Sequence, residues 1–338
     1  MPKLGTALVA GGSLGAGGTL AYNNTIPKNI QEALEREGVP FIKSISDVDA
    51  KNRAYKAVYL DNKSSIETDI SEAKTSADVA YSKISEWCNG QLNSAYSRSV
   101  LKANQEKIIK YCSDQVPRTV EGRLQRIKDQ KWIKDEADKK DEAYKAIFAI
   151  YRYDKTFLAQ INSVKGSESA NDVNTDAEKG YETLKTWCET NFVSEVKLVE
   201  DENLYSYVFW WCKKLDYETT VEEKIQHDYP GWEKESETSG TNSGDPWDSI
   251  KGLWQHTYDV FSVVNPSYTS KNNGTDIGAT QYLNWCRGIL AKKIFDKGVY
   301  QKEYLVAKSV CLKREIQYKL GEKKSLKEGI EAYKANGK

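Results

Sequence analysis

Tyr81-Ser82-Lys83-Ile84-Ser85-Glu86-Trp87-Cys88-Asn89-Gly90-Gln91-Leu92 returns a hundred residues later as Tyr181-Glu182-Thr183-Leu184-Lys185-Thr186-Trp187-Cys188-Glu189-Thr190-Asn191-Phe192. Ala279 to Leu290, around Trp285-Cys286, is a third copy. Counted from each cysteine, positions −7, −4, 0 and +4 are Tyr81, Ile84, Cys88 and Leu92, then Tyr181, Leu184, Cys188 and Phe192, then Ala279, Tyr282, Cys286 and Leu290. These offsets trace one face of an α-helix, so each Trp-Cys pair belongs to an amphipathic helix with its sulfur on the apolar stripe. A second cysteine follows each first, 24, 24 and 25 residues on, as Cys112, Cys212 and Cys311. Ile108 and Ile109, Val208 and Phe209, and the weaker Ala307 and Lys308 precede these, so the second cysteines also face inward on a helix.

Around this pair the rest of each period can be drawn. Asp47 or Ser46 caps a helix through Tyr59, whose Ala54-Tyr55-Lys56-Ala57 recurs as Ala143-Tyr144-Lys145-Ala146 in a helix from Asp138 to Tyr153. Trp247 to Val263 is the third counterpart. Val120, Glu121 and Leu124, matched by Val221, Glu222 and Ile225, read as a fourth helix, and Thr220 with Glu223 and Ser325 with Glu328 have capping-box spacing. The expectation is an all-α chain of three tandem helical-bundle modules of about four helices each after a hydrophobic leader. The boundaries are a leader over 1–28, modules over 29–130, 131–228 and 247–338, and a polar linker over 229–246.

The leader is different material. Leu4 to Pro27 carries no charge, Lys3 and Lys28 flank it, and residues 4–22 are nearly all small or aliphatic. That length can cross a bilayer, and Thr19 and Ala21 offer small residues before a cut at Tyr22. Residues 4–22 therefore read as a signal peptide or membrane anchor, placing the protein at the cell membrane or its outer face. The alternative is a Gly/Ala-rich leader on an intracellular helical-repeat scaffold with reduced cysteines. Gly11-Gly12 and Gly15-Ala16-Gly17-Gly18 lack the Lys-Ser/Thr of a phosphate loop and the acidic residue of a dinucleotide site. Lysine plus arginine equals aspartate plus glutamate at 49 each in 338 residues, which leaves no net field for nucleic acid.

No cofactor is expected, and no metal or catalytic role for the cysteines. There is no Cys-x-x-Cys, and the only histidines, His227 and His256, share no spacing with the pairs. A nucleophile repeated six times without a repeated base has nothing to lower its pKa. Disulfide staples within each module or buried thiols remain. The staple requires the third helix to start late, after a connection of about ten residues over 93–102 and 193–202. An even count in every module and a leader that points outward favour it. Duplication of two core positions also explains the pairing and keeps the thiol reading open.

The acidic clusters, such as Glu32, Glu35 and Glu37, are interleaved with lysine and read as solvated faces. Tyr229 and Trp232, lying in the polar linker, are candidate exposed binding anchors. Asn23-Asn24-Thr25 and Asn273-Gly274-Thr275 match the glycosylation sequon.

The small-residue leader, the Trp-Cys helix, the aromatic-Cys two dozen residues on, and Thr119-Val120-Glu121 or Thr220-Val221-Glu222 together resemble the expanded paralogous protein families of haemotropic mycoplasmas. The resemblance runs over essentially the whole chain on short motifs, and the third module departs from it, with Val310 before Cys311 and no Thr-Val-Glu after. It implies a non-enzymatic surface protein engaged in binding, contact with a host component or antigenic variation, and it brings no catalytic residues.

Overall fold

The computed structural model describes residues 26–74, 76–136, 138–164, 171–195, 202–237, 245–268, 274–320 and 325–336. The membrane expectation for residues 4–22 and the asparagines of both sequons lie outside the described residues. Those residues form sixteen α-helices joined by short 3₁₀ and π turns and isolated bridges, and no strand longer than a bridge occurs among them. The chain is all-helical. Its contacts divide it into two compact units, the first running to Asp129 and taking in Glu195, the second formed by Gln130–Ser194 and the C-terminal part of the chain.

In the first unit, α1 (Ile30–Arg36) begins where Asn29 accepts the Glu32 N–H at 2.9 Å. Helix α2 (Val48–Asp69) is capped by Asp47 and runs past its expected end at Tyr59, with a non-helical residue at Asn62. Helices α3 (Ala77–Asn93) and α4 (Arg98–Cys112) carry the cysteine pair, and α5 (Val120–Gln125) packs on α2. Ile84, Cys88, Leu92, Ile108 and Cys112 have no solvent exposure, and they join Tyr55, Tyr59 and Leu34 in one core.

The connection between α3 and α4 is shorter than expected, since only residues 94–97 separate them. The pair still meets because the connection is extended. An extended residue advances about 3.3 Å against about 1.5 Å in a helix. The turn and a half after Cys88 plus the extended run therefore carry the chain out by about the 21 Å that α4 then recovers on its way back to Cys112. Backbone pairing holds the run open: Ala95 bridges Asn29, with Ile30 N to Ser94 O at 3.1 Å and Tyr96 N to Lys28 O at 3.2 Å.

That bridge recurs. Asn29 with Ala95, Thr119 with Glu195 and Thr220 with Lys293 each join the N-cap of a short helix to the residue seven past the first cysteine. A second series, Phe41 with Ser113, Trp132 with Lys213 and Lys234 with Leu312, ends in each case on the residue after the second cysteine. Thr119 and Thr220, read from sequence as the start of each module's last helix, thus occupy the place that Asn29 holds before α1.

In the second unit the long-helix region is broken in both copies. α6 (Lys140–Tyr151) gives way at Arg152 to α7 (Lys155–Asn162), capped by Asp154. The single helix expected over Trp247 to Val263 is two, α11 (Pro246–Trp254) and α12 (Tyr258–Val264), parted where Gly274 N bonds to the Gln255 carbonyl at 2.6 Å. The cysteine helices are α8 (Ala177–Phe192), α9 (Glu202–Trp211), α13 (Ala279–Ala291) and α14 (Tyr304–Val310). α10 (Val221–Asp228) packs on α13 and α14, and α15 (Arg314–Leu320) and α16 (Leu326–Asn336) pack together after Cys311. At Thr220 and at Ser325 one arm of the expected box is present, as hydrogen bonds from Glu223 N and Glu328 N at 3.3 Å.

Two local features follow from single residues. α14 is preceded by a π turn, Val299–Glu303, lying between Lys293 and Cys311. A π turn takes up one extra residue in a helix, which accounts for the third pair's spacing of 25 against 24. Gly180 lets α8 approach α6 closely, because a Cβ there would stand 2.1 Å from Cζ of Phe148. Trp211 centres the aromatic packing nearby, with Tyr207 stacked at 4.5 Å, Phe157 edge-on at 5.0 Å and Trp187 at 5.3 Å. The C-terminal core draws Ala146 and Ile150 from α6 together with Trp232, Trp247, Cys286 and Cys311, so the stretches expected as separate second and third modules share one core.

Candidate binding cleft

The six cysteines named from sequence stand in three bonded pairs. Sulfur separations are 2.09, 2.04 and 2.04 Å for Cys88–Cys112, Cys188–Cys212 and Cys286–Cys311, and Cα separations are 5.5, 5.8 and 5.5 Å. All six are buried. They cross-link the helix pairs and offer no accessible sulfur, so they are supports of a site rather than its chemistry.

Trp232 is not an exposed anchor. It is 3% exposed and donates its indole N–H to the Lys308 carbonyl at 2.9 Å. Tyr229 is partly buried, its hydroxyl accepting from Lys308 Nζ at 3.0 Å while that ammonium lies over its ring. Nor does the described part of the expected linker, 229–237, behave as one. Glu235 N bonds to Cys311 O at 2.9 Å, Lys313 N to Glu233 O at 2.8 Å, and Trp247 Nε1 to Ser236 O at 2.9 Å. Backbone pairing fastens this polar stretch alongside the buried Trp232 side chain.

Beside α10 lies an ionic cluster that reaches the surface. Lys224, nearly buried, pairs with Asp228, which also accepts from the Tyr304 hydroxyl, and His227 Nδ1 stands 3.2 Å from the same carboxylate. Burial pulls the Asp228 pKa up, but the bonds from Lys224 and Tyr304 outweigh it and hold the group below its ordinary 3.8. Every member is paired with another, which marks a packing network.

One cavity is different. A cleft of about 1040 Å³ in the second unit is walled by Arg152 and Tyr153 at the α6 break, by the loop from Asn171 to Asp176, by the first turns of α8, and by Lys297, Gly298 and Gln301 at the entry to the π turn. The loop is fixed from within. Asn171 exchanges two hydrogen bonds with the Asn162 amide at 2.9 and 3.0 Å, Asp172 N donates to Thr175 Oγ1 at 2.8 Å, and Asp176 caps α8. Gly298 turns the chain at φ 81°, where a side chain is strained.

The cleft holds two buried donors without a partner, Nε of Arg152 and Nδ2 of Asn171, on residues each only 9% exposed. Arg152 gives one bond, Nη1 to the Thr175 carbonyl at 2.9 Å, lies 5.3 Å from the ring centre of half-exposed Tyr153, and has no carboxylate partner among the described residues. Of the lining acids, Asp176 is engaged as a cap and Glu178 pairs with Lys145 at 2.6 Å. Sequence reading passed over this place because its residues come from a helix break and two loops that no periodicity connects. The one trace it leaves in the sequence is a run rich in Ser, Asn and Gly that ends near Thr175.

Among the described residues no group of His, Cys, Asp and Glu could hold a metal ion, and no helix is long and apolar enough to cross a membrane. No family model matches the chain, and neither the curated proteins nor the solved structures give a match.

Proposed function

We propose that the chain is an exported or membrane-anchored protein, built of three copies of a disulfide-stapled helical module, that acts by binding a component outside the cell. The observation that carries this reading is the bonded geometry of all three cysteine pairs, since disulfides persist in oxidising compartments and are rare in a reducing cytosol. The uncharged run from Leu4 to Pro27 supports the same address. So does the resemblance to paralogous surface proteins, with host contact or antigenic variation as the role it implies. In this reading the cystines stabilise modules whose outer residues are free to differ. Treatment of intact cells with a protease tests it: the protein is degraded before lysis, whereas survival until the cells are opened contradicts display.

A further inference from the structure

We propose that the cleft beside Arg152 binds an acidic saccharide, a sugar unit carrying a carboxylate; this rests on the binding reading above and gives that reading a site and a ligand class. Buried N–H groups in native proteins nearly always have a partner, and a buried guanidinium left with an open donor is costly unless something completes it. Here two such donors, Arg152 Nε and Asn171 Nδ2, belong to residues that line one cavity, and both call for an acceptor.

The walls carry three cations, Arg152, Lys179 and Lys297, against three acids, Asp176, Glu178 and Glu182, and the pairing of Glu178 with Lys145 leaves one positive charge in excess. Lys179 and Lys297 are exposed and make no ion pair among the described residues. A carboxylate suits this set because guanidinium and amide N–H groups present donors in the planar arrangement that its two oxygens accept.

The remaining lining is that of a sugar site. Tyr153 is half exposed and presents an aromatic ring on which the C–H face of a pyranose can rest, and the Asn174 and Gln301 amides can both donate to and accept from hydroxyls. About 1040 Å³ is at the upper end of small-ligand sites and holds more than one ring. Both orphan donors are screened from bulk solvent, so a carboxylate reaches them by side-chain adjustment.

The test is calorimetric titration of the purified full chain with a glucuronate-containing disaccharide, with glucose and succinate as separate arms. The disaccharide binds, while glucose and succinate bind at least about tenfold more weakly, since each lacks one of the two recognised features. Joint replacement Lys179→Ala and Lys297→Ala, at exposed positions, lowers disaccharide affinity about tenfold or more, and Tyr153→Ala lowers it separately, whereas Lys102→Ala in the first unit leaves it unchanged. No heat with the disaccharide means a cleft filled by water alone and overturns the proposal. So does equal binding of succinate or glucose, or an unaltered affinity in the double variant. Failure here leaves surface display standing, and protection from protease on intact cells leaves the cleft standing.

Discussion

Asn62 and Arg152 mark the same event in the two units, the break in the long helix that precedes a Trp-Cys helix, and the two breaks are finished differently. At Asn62 the backbone leaves helical geometry at φ −134° and ψ 22°, and the side chains of the break itself, Asp61 and Asn62, are taken up, although neighbouring Arg126 keeps a buried Nε without a partner. Its amide donates to Val58 O at 3.0 Å and accepts from Arg118 Nη2 at 2.9 Å, while the Asp61 carboxylate accepts from Arg118 N at 2.6 Å, Thr119 N at 3.0 Å and the Thr119 hydroxyl. At Arg152 one bond to Thr175 O is made, and the Nε donor is left over on a cleft wall. A break whose groups are all satisfied is a joint. The one whose own side chain keeps a buried donor open is, in the proposal above, the place for a ligand.

The largest effects should come from what the two units share. Replacing both cysteines of a pair by alanine removes a loop closure of 24 or 25 residues and lowers stability by about 3 to 4 kcal/mol in the chain-entropy account. Urea unfolding of the three double variants checks this, and a pair whose removal costs under about 1 kcal/mol is not a staple. Next is Gly180→Ala, which forces a methyl into the Phe148 ring and costs about 1 to 3 kcal/mol. The position eight before the first cysteine is already a buried Ala80 in the first unit, so the close approach is particular to α6 and α8. Gly288→Ala, in the open on α13, should instead raise stability by up to about 1 kcal/mol, and the opposite signs are read by the same unfolding curves.

Asp61→Ala strips three donors of their acceptor and should cost about 1 to 3 kcal/mol, whereas Glu182→Gln on the cleft rim changes stability by less than about 0.5 kcal/mol. Equal losses would erase the distinction between joint and site. The smallest effect is with pH. Asp69 is held below its ordinary 3.8, first by the hydrogen bond from Lys107 and then by that from Tyr111. A depressed carboxylate contributes stability that is present above 3.8 and is lost as pH falls through its lower folded value. Unfolding midpoints measured from pH 7 down to pH 3 should therefore fall less for Asp69→Asn than for the natural chain.

The repeated helices were legible because an amphipathic helix writes its buried face into sequence at fixed spacing: Ile84, Cys88 and Leu92 could be placed before any coordinates. The bridges were not, since Asn29, Ala95, Lys234 and Leu312 meet through backbone groups that every residue carries. The same reason hid the role of 229–237, where a polar stretch pairs its main chain and sends Trp232 into the core. The end of α6 was legible within two residues, at Tyr153, but α7 beyond it was not, and the break at Gln255 escaped because a tertiary bond from Gly274 N to its carbonyl accompanies it and no proline announces it. The cleft inherits that obscurity, being assembled from one break and two loops.

Mass mapping of peptides from the natural chain, digested without reduction and with free thiols blocked, tests the shared staple most directly. The account predicts three cross-linked species, joining Cys88 to Cys112, Cys188 to Cys212 and Cys286 to Cys311, with no blocked cysteine. Six blocked thiols, or links between cysteines of different pairs, would contradict it.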